Sequence, residues 1–554
     1  MKITAIPQVY RNVNRWREIL SVLSKYGLAD WLSRFDLEFP KGWLKDRDGE
    51  ALARQTRENR IRLALTELGP TFIKLGQILS TRPDVVGVSL AAELEKLQSD
   101  VVADRPEVVR QVVEQELGQP VEDIFADFDD ESLASASIGQ VHRARLASGE
   151  EVVIKVQHSN IEEKVRVDLD ILSGLAQLAE KMPEFVNYRP RATVAEFQRV
   201  LRRELDFGRE ERNMQQFYRE FADNPSVKIP HVYVDLSTSR VLTMEYIKGI
   251  KLSQCHQVAA AGFELDQVAR RGAELYLEMI FTHGFYHADP HAGNILLLDG
   301  NVIGLLDYGM VGRIDEALRE EMEDLLMSII RQDDVSLTAV IMRVGEVPLD
   351  LDENALRGEL ADFVSHYGNQ PMATFRLASA LNEMMEIIRR FQIMLPAQIA
   401  LLLKTLVMLE GTARTLNPEF SLIEVMAPFQ RKLLRRRLSP ARRLKKIRRT
   451  MFDLEQLISV MPRRVSEILN QVKSGKFDVH LDHRGLEPSV NRLVLGMLAS
   501  ALFLGSSMML TFKVWPVAFE KISVPGALGC FVSLMVGLRL LRAINKSGHL
   551  DRRD

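Results

Sequence analysis

The sequence predicts an α+β chain: a small strand-bearing unit set within a mostly helical protein, with a hydrophobic helical hairpin near the C-terminus. Three observations predict it. Alternating apolar runs, the mark of half-buried strands, cluster between residues 130 and 310. Apolar residues at helical spacing dominate beyond them, as in Leu318, Met322, Leu325, Leu326, Ile329 and Ile330. Leu493 to Phe512 runs for twenty residues without a charge.

Residues 1–60 read as helical and polar, with Trp16, Trp31 and Trp43 scattered through them, and 61–130 as several helices. Ser132 to Gln157 reads as two strands about a turn at Ala147-Ser148-Gly149. Residues 160–220 are helical in pattern, Arg240 to Ile247 is a strand, and 264–283 is a helix. Asn294 to Leu298 and Val302 to Leu306 form a second hairpin about Asp299-Gly300-Asn301. Ile393 to Leu409 is apolar, but Gln398 and Lys404 interrupt it, so it reads as a core helix and not as a membrane span. No internal repeat is visible.

Composition narrows the function classes. Of 554 residues, 27% are charged and 46% hydrophobic, which excludes a disordered chain and a polytopic membrane protein. Lys plus Arg (72) nearly balances Asp plus Glu (75), which argues against nucleic acid as a partner. Two cysteines, Cys255 and Cys530, exclude a disulfide framework and a multi-cysteine zinc site. The first twenty residues are interrupted by Arg11, Arg15, Arg17 and Glu18, so no signal-peptide core forms and the bulk is expected in the cytoplasm.

The uncharged run from Leu493 is about 30 Å long as a helix, one hydrocarbon core. A second run, Ile522 to Leu538, follows a short connection holding Lys513, Glu520 and Lys521. Arg492 precedes the pair, and Arg539, Arg542, Lys546, Arg552 and Arg553 follow it. Flanks more basic than the connection place both ends of the hairpin at the cytoplasmic side of an inner membrane. Arg431 to Thr450 carries eleven Lys or Arg in twenty positions and no acid, which fits contact with anionic lipids.

The chemistry is concentrated in His287-Ala288-Asp289, Asn294 and Asp307-Tyr308-Gly309. The pattern is H-x-D-x-x-x-x-N, a hairpin, then D-x-G. In phosphoryl transfer, one Asp orients or deprotonates the acceptor, and an Asn and a second Asp hold Mg²⁺ against phosphate oxygens. A hairpin between Asn294 and Asp307 brings them to one end. A cation is expected upstream, and Lys155 ends the strand Val152-Val153-Ile154, like the kinase V-A-I-K strand. Glu204, Asp206 and Glu210 share a helical stretch as candidate partners. Six residues separate the two glutamates, so they face different sides and serve different cations. The backbone near Glu245 and Tyr246, flanked by Met244, is placed to meet adenine. The phosphate-covering loop departs from G-x-G-x-x-G: it reads Ala134-Ser135-Ala136-Ser137-Ile138-Gly139. No A-P-E follows Asp307, so a peptide-binding platform is missing.

This set, with the upstream Lys74-Leu75-Gly76-Gln77, resembles the UbiB family of atypical protein-kinase-like proteins, linked to ubiquinone and other isoprenoid-quinone metabolism. The resemblance spans roughly residues 55–420, and the hairpin matches the membrane anchor of bacterial members. It implies a bilobal kinase-like fold: helices with the K-x-G-Q motif over 1–130, an N-lobe over 131–250, a C-lobe over 251–425, a basic helical linker over 426–490 and a transmembrane hairpin over 491–546. It implies ATP and Mg²⁺ as cofactors, Asp289, Lys155 and Glu210 as catalytic, and Asn294 and Asp307 as metal ligands. Lys74 and Gln77 would gate the pocket, with Glu204 and Asp206 as the family's E-x-D motif and Glu204 the partner of Lys74. The sequence itself leaves the two glutamates exchangeable. Ala292 stands where proline is usual and Tyr308 where phenylalanine is, which bears on loop rigidity. The expected function is ATP hydrolysis serving quinone-precursor lipids or quinone-biosynthesis proteins. The alternatives are a small-molecule or lipid kinase and an ATP-sensing scaffold without turnover, with a protein kinase last.

Overall fold

The computed structural model describes residues 13–28, 55–97, 102–180, 189–348, 350–370, 375–426, 428–429, 486–518 and 522–546, with 451 and 466. Trp31, Trp43 and the basic run at 431–450 lie outside the described residues. The chain divides into two compact units, Met1–Ser439 and Pro440–Asp554.

The first unit opens with α1 (Val13–Lys25), whose Trp16, Ile19 and Val22 are buried at helical spacing. They pack with α2 (Arg57–Leu68), which Thr56 caps by accepting the Asn59 N–H. α3 (Pro70–Ser80) starts with Pro at its first position, where a missing N–H is harmless. A Cβ at Gly76 in its middle would collide with Leu97 and touch Leu65 at 3.0 Å. Glycine therefore lets α3 lie close on its neighbours, at a helix cost of about 1 kcal/mol. α4 (Pro83–Val86) and α5 (Val88–Leu94) complete this helical layer. Arg82 and the fully buried Asp84 form a two-bonded pair at 2.8 and 2.9 Å. Both also bond the Leu395 backbone, tying this layer to the far helices.

α6 (Pro106–Leu117) precedes a five-stranded antiparallel sheet. Its strands are β1 (Phe125–Phe128), β2 (Ala134–Ser135), β3 (Gly139–Leu146), β4 (Glu151–Gln157) and, later, β6 (Val241–Glu245). β1 lies upstream of residue 131, so the sheet starts before the expected N-lobe boundary. The order is β1-β3-β4-β6 with β2 on β3. Gly149 turns the β3–β4 hairpin at φ +93°, a conformation free only to glycine. Val152, Ile154 and Val156 of β4 are buried against Val109, Val112 and Val113 of α6. Each such burial is worth about 1.5–3 kcal/mol. The period of two turns Lys155 to the opposite face, toward the lower lobe.

Residues 160–220 form three helices, not one stretch: α7 (Ile161–Ala179), α8 (Pro190–Glu204) and α9 (Phe207–Glu220). β5 (Val227–Lys228) follows them. The lower lobe carries β7 (Ile250–Lys251), α10 (Leu265–Glu278) and then a π-helical turn at Met279–His283, where a plain helix was expected. β8 (Phe285–His287), β9 (Ile295–Leu298), β10 (Val302–Leu305) and β11 (Val311–Arg313) come next. The β9–β10 hairpin pairs Leu298 with Val302 across the expected Asp299-Gly300-Asn301 turn. β11 pairs antiparallel with β8, so both loops of the chemical motif open at one end.

The rest of this unit is helical: α11 (Glu316–Ile330), α12 (Asp334–Val344), α13 (Glu353–Gly368), α14 (Leu377–Arg390) and α15 (Ala397–Leu416). α15 is the core helix the sequence predicts, with Ile399, Leu402, Leu403, Leu406 and Leu409 buried. Its buried Glu410 accepts the N–H groups of Leu377 and Ala378, placing a negative charge on the α14 N-terminus.

The second unit contains α16 (Leu486–Thr511) and α17 (Val524–Lys546), both long and apolar enough to cross a membrane. α17 runs past Leu538 to Lys546. A Cβ at Gly529 would strike Ser506, so small residues let the two helices approach closely. Leu493, Leu498, Leu504, Phe531 and Leu534 face outward.

Candidate nucleotide site

Lys155 and Glu210 form the centre of the cleft between the two lobes. The Lys155 ammonium donates to both Glu210 oxygens, at 3.0 and 2.8 Å. Glu210 lies in the first turn of α9, with its side chain 5% exposed. Its Oε1 also accepts the Tyr308 N–H at 3.2 Å, linking α9 to the D-x-G loop. Asp307 Oδ1 lies 3.8 Å from the same ammonium. Burial disfavours the charged lysine, but Asp307 and Glu210 outweigh it and hold the Lys155 pKa above its ordinary value.

Asp307 is the cleft's open carboxylate, with 57% of its side chain exposed at the mouth although protein surrounds it. The Lys155 charge, against the opposing effect of burial, holds its pKa at about 2, with help from Lys74. Its backbone has φ +55°, in the left-handed region, and its Oδ1 accepts the Gly309 N–H at 3.1 Å.

Asp289 and Asn294 stand on the opposing loop. Asn294 Nδ2 donates to Asp289 Oδ2 at 2.8 Å, which turns the amide oxygen outward as the atom available to a cation. His287, fully buried, joins the two loops: its Nδ1 accepts the Asp289 N–H at 3.3 Å. Its Nε2 therefore carries the hydrogen donated to the Leu306 carbonyl at 2.9 Å.

Lys74 reaches over the cleft from α3 and pairs with Glu204 at the end of α8. Burial opposes its charge, but Glu204 and Asp307 raise its pKa, and the Lys155 charge acts on it too. The lid lysine therefore lies in the field of the central triad. The two glutamates serve the two lysines separately, as the resemblance implies, but the reason differs from a continuous helix. The chain breaks at Leu205, and Asp206 caps α9 through the Gly208 N–H at 3.1 Å. Asp206 thus orients α9 and stands 3.4 Å from Arg212. Gln77 donates to the Leu97 carbonyl at 3.3 Å, within the lid layer itself.

The loop Ala134–Gly139 is a tight connection from β2 to β3, closed by the Ala136 N–H on the Gly139 carbonyl at 2.8 Å. Gly139 is glycine for packing: a Cβ would sit 2.5 Å from the Val156 carbonyl. Ile138 is buried in the main core. The hydroxyls of Ser135 and Ser137 are buried without a partner. At the expected adenine contact, the Glu245 N–H already donates to His231 O at 2.8 Å, and the Tyr246 N–H to Glu151 O at 3.0 Å. Their carbonyls are what remain for the base. The Glu245 side chain pairs with Lys228 at 2.7 Å, and the Tyr246 ring lies under Arg143 at 4.7 Å.

Three segments match family descriptions: an ABC1 atypical kinase-like domain at residues 96–341, a UbiB helical domain at 360–421, and an ABC1/UbiB kinase-like C-terminal domain at 480–546. A Pseudomonas aeruginosa relative named probable protein kinase UbiB is 34% identical over 479 residues, covering 85% of this chain and 89% of the relative. A Xanthomonas campestris relative of the same name is 34% identical over 458 residues, covering 80% and 82%. The chain belongs to the UbiB family. An uncharacterised Clostridium pasteurianum protein, from the 5′ region of hydrogenase 1, is 28% identical over 546 residues, covering 97% of this chain and all of the relative. The solved Rv3197–erythromycin complex of Mycobacterium tuberculosis is 22% identical, with a TM-score of 0.46, over 58% of this chain and 82% of that one.

The departures from the family pattern at Tyr308 and Ala292 leave the loops well held. Tyr308 is buried, and its hydroxyl donates to Leu305 O at 3.1 Å. Asn213 donates to the Tyr308 carbonyl at 3.0 Å. Ala292 begins a short 3₁₀ turn, with His291 Nδ1 accepting the Gly293 N–H at 3.1 Å. Sequence reading missed Asn213, Thr405 and Thr412. The Thr405 hydroxyl shares its one hydrogen between Leu401 O at 2.8 Å and Ala288 O at 3.1 Å, and Thr412 donates to Pro290 O at 2.9 Å, so α15 touches the loop on both sides of Asp289. Polar residues punctuating an otherwise apolar helix were the available signal.

Proposed function

We propose that this chain is a membrane-anchored, Mg²⁺-dependent ATPase that supports isoprenoid-quinone metabolism. The observation that carries the proposal is the Lys155–Glu210–Asp307 cluster facing Asp289 and Asn294 across one cleft. The residues fit Mg·ATP. Asp307 and the Asn294 amide supply hard oxygen donors of the kind Mg²⁺ takes, Lys155 supplies a phosphate-facing cation, and Ser135 and Ser137 retain unused hydroxyls. Bound Mg²⁺ supplies charge neutralisation on phosphate oxygens. Asp289 is the carboxylate that orients the attacking water, and His287 and Thr405 keep its loop in place. Lys74 ties α3 to Glu204 within the field of Asp307 and Lys155, which supports hydrolysis over protein phosphorylation.

The hairpin supports anchoring: two apolar helices expose Leu, Met and Phe side chains outward, between basic flanks. That pattern supports an inner-membrane location with the catalytic unit in the cytoplasm and anionic lipids as contacts. The quinone assignment rests on family membership; the Pseudomonas and Xanthomonas relatives are named probable protein kinase UbiB. A quinone-precursor lipid or quinone-biosynthesis proteins would be the partners. A small-molecule or lipid kinase is the second reading, because Asp289 could equally take the proton of a hydroxyl acceptor.

Calorimetric titration of Mg·ATP into the full chain and Lys155→Met tests the nucleotide reading. Binding that weakens at least tenfold in the variant supports it, and equal binding contradicts it. Radiolabelled ATP then separates the two readings: label in free phosphate marks hydrolysis, and label in an extracted lipid marks a kinase.

A further inference from the structure

Lys404 interrupts the apolar face of α15, and its side chain is 11% exposed. Its ammonium donates to Ser80 Oγ at 2.8 Å and lies 3.5 Å from Glu95, whose side chain is 41% exposed. Both partners belong to the lid layer, at the end of α3 and just after α5. Thr405, the next residue, bonds the carbonyl of Ala288, which immediately precedes Asp289. Burial lowers the lysine's pKa, and Glu95 and then Asp289 are the carboxylates that act against it. The other two cations of the cleft are committed: Lys155 to Glu210 and Asp307, and Lys74 to Glu204. Across the cleft, the side-chain bond Asp289 receives comes from the neutral Asn294 amide.

We propose that Lys404 is the third cation of the site, contacting the terminal phosphate of the nucleotide on the Asp289 side. The proposal rests on the nucleotide reading above. Charge in phosphoryl transfer spreads over the equatorial oxygens of the transferred group; Lys155 stands with Asp307 on one side, and the second metal ligand, the neutral Asn294 amide, stands beside Asp289. A cation on the other side completes the cradle and holds the group in line with Asp289. The lid contacts hold this amine in reserve: one neutral hydroxyl and one half-exposed carboxylate are weak competitors for it.

The test is acylation by the acyl phosphate of ATP, whose acyl group extends from the terminal phosphate toward the acceptor side. A nearby amine attacks the acyl carbonyl, an amide forms, the acyl–oxygen bond breaks, and ATP leaves with the electron pair while the amine loses its proton to water. The full chain is labelled with and without excess ATP, digested and mapped. ATP-suppressible labelling at both Lys155 and Lys404 is the expected result. Labelling at Lys155 alone, or labelling at Lys404 that ATP does not suppress, overturns the assignment of Lys404 and leaves the nucleotide reading intact. No ATP-suppressible label on either residue overturns both. A kinetic comparison adds a second readout. Lys404→Met should lower turnover by about 10²-fold with the nucleotide Kd changed less than about threefold, and Lys404→Arg should recover part of it. Unchanged turnover in Lys404→Met, beside an active wild type, also overturns the proposal.

Discussion

The ammonium of Lys155 sits between the two oxygens of Glu210, at 2.8 and 3.0 Å, and the same carboxylate receives the Tyr308 N–H. One buried glutamate thus sets the position of Lys155 and of the loop that carries Asp307. Breaking such a pair from one side leaves a buried charge unanswered, which costs about 3–5 kcal/mol. Glu210→Ala should lower the urea midpoint accordingly and weaken Mg·ATP binding. The double change Glu210→Ala with Lys155→Met should recover most of the stability and none of the binding. A double variant no more stable than Glu210→Ala would show that the pair is not the cause.

The Lys74–Glu204 pair fastens the lid over the cleft. Lys74→Ala should raise amide hydrogen exchange in Pro70–Ser80 at least tenfold, a local loss of about 1.4 kcal/mol or more. Exchange in β4 should change far less. Equal protection of Pro70–Ser80 in variant and wild type would mean that apolar packing alone holds the lid.

Thr405→Val removes the hydroxyl that bonds the Ala288 carbonyl and keeps the side-chain volume. The expected stability loss is about 1 kcal/mol, because the hydroxyl's one hydrogen is shared between the Ala288 and Leu401 carbonyls. Turnover should fall with nucleotide affinity unchanged, since the bond holds the Asp289 loop and not the Asp307 side. Loss of affinity equal to the loss of turnover would contradict that division.

Asp307 gives a pH prediction. Its folded pKa of about 2 lies below the ordinary 3.8, chiefly through Lys155. A carboxyl with a depressed pKa contributes stability that is present above its unfolded value and is lost as pH falls through the folded value. The difference in urea midpoint between wild type and Asp307→Asn should therefore be constant above roughly pH 5. It should shift against the wild type between 3.8 and about 2. A difference flat across that window would remove Lys155 as the cause of the shift.

Much of the site was legible because its signals are local. H-x-D-x-x-x-x-N, the hairpin and D-x-G crowd into twenty-odd positions, and the alternation around Lys155 fixes the face it occupies. The glutamate pairing was less legible. It depends on the break at Leu205 and the cap by Asp206 on the Gly208 N–H, and the run from Glu204 to Glu210 marks that break only by Asp206 and Gly208, without a proline. The reason for Gly139 was hidden as well, because only the fold brings the Val156 carbonyl against it. The expected adenine contact at Glu245 and Tyr246 falls at the end of β6, but the atoms left to it were not legible, since His231 and Glu151 take the N–H groups. Lys404, Thr405 and Thr412 lie more than a hundred residues from the loop they serve, and nothing near them in sequence announces a partner.

The central claim is that Asp289, opposite the Lys155–Glu210–Asp307 cluster, serves ATP hydrolysis at a membrane. The most direct measurement is phosphate release from Mg·ATP by the full chain and by Asp289→Asn, with and without anionic liposomes carrying a phenolic quinone precursor. The account predicts release that liposomes stimulate and that falls about 10²-fold or more in Asp289→Asn, with nucleotide binding kept. Release that persists in Asp289→Asn, or a wild type that binds Mg·ATP and releases no phosphate under either condition, would contradict it.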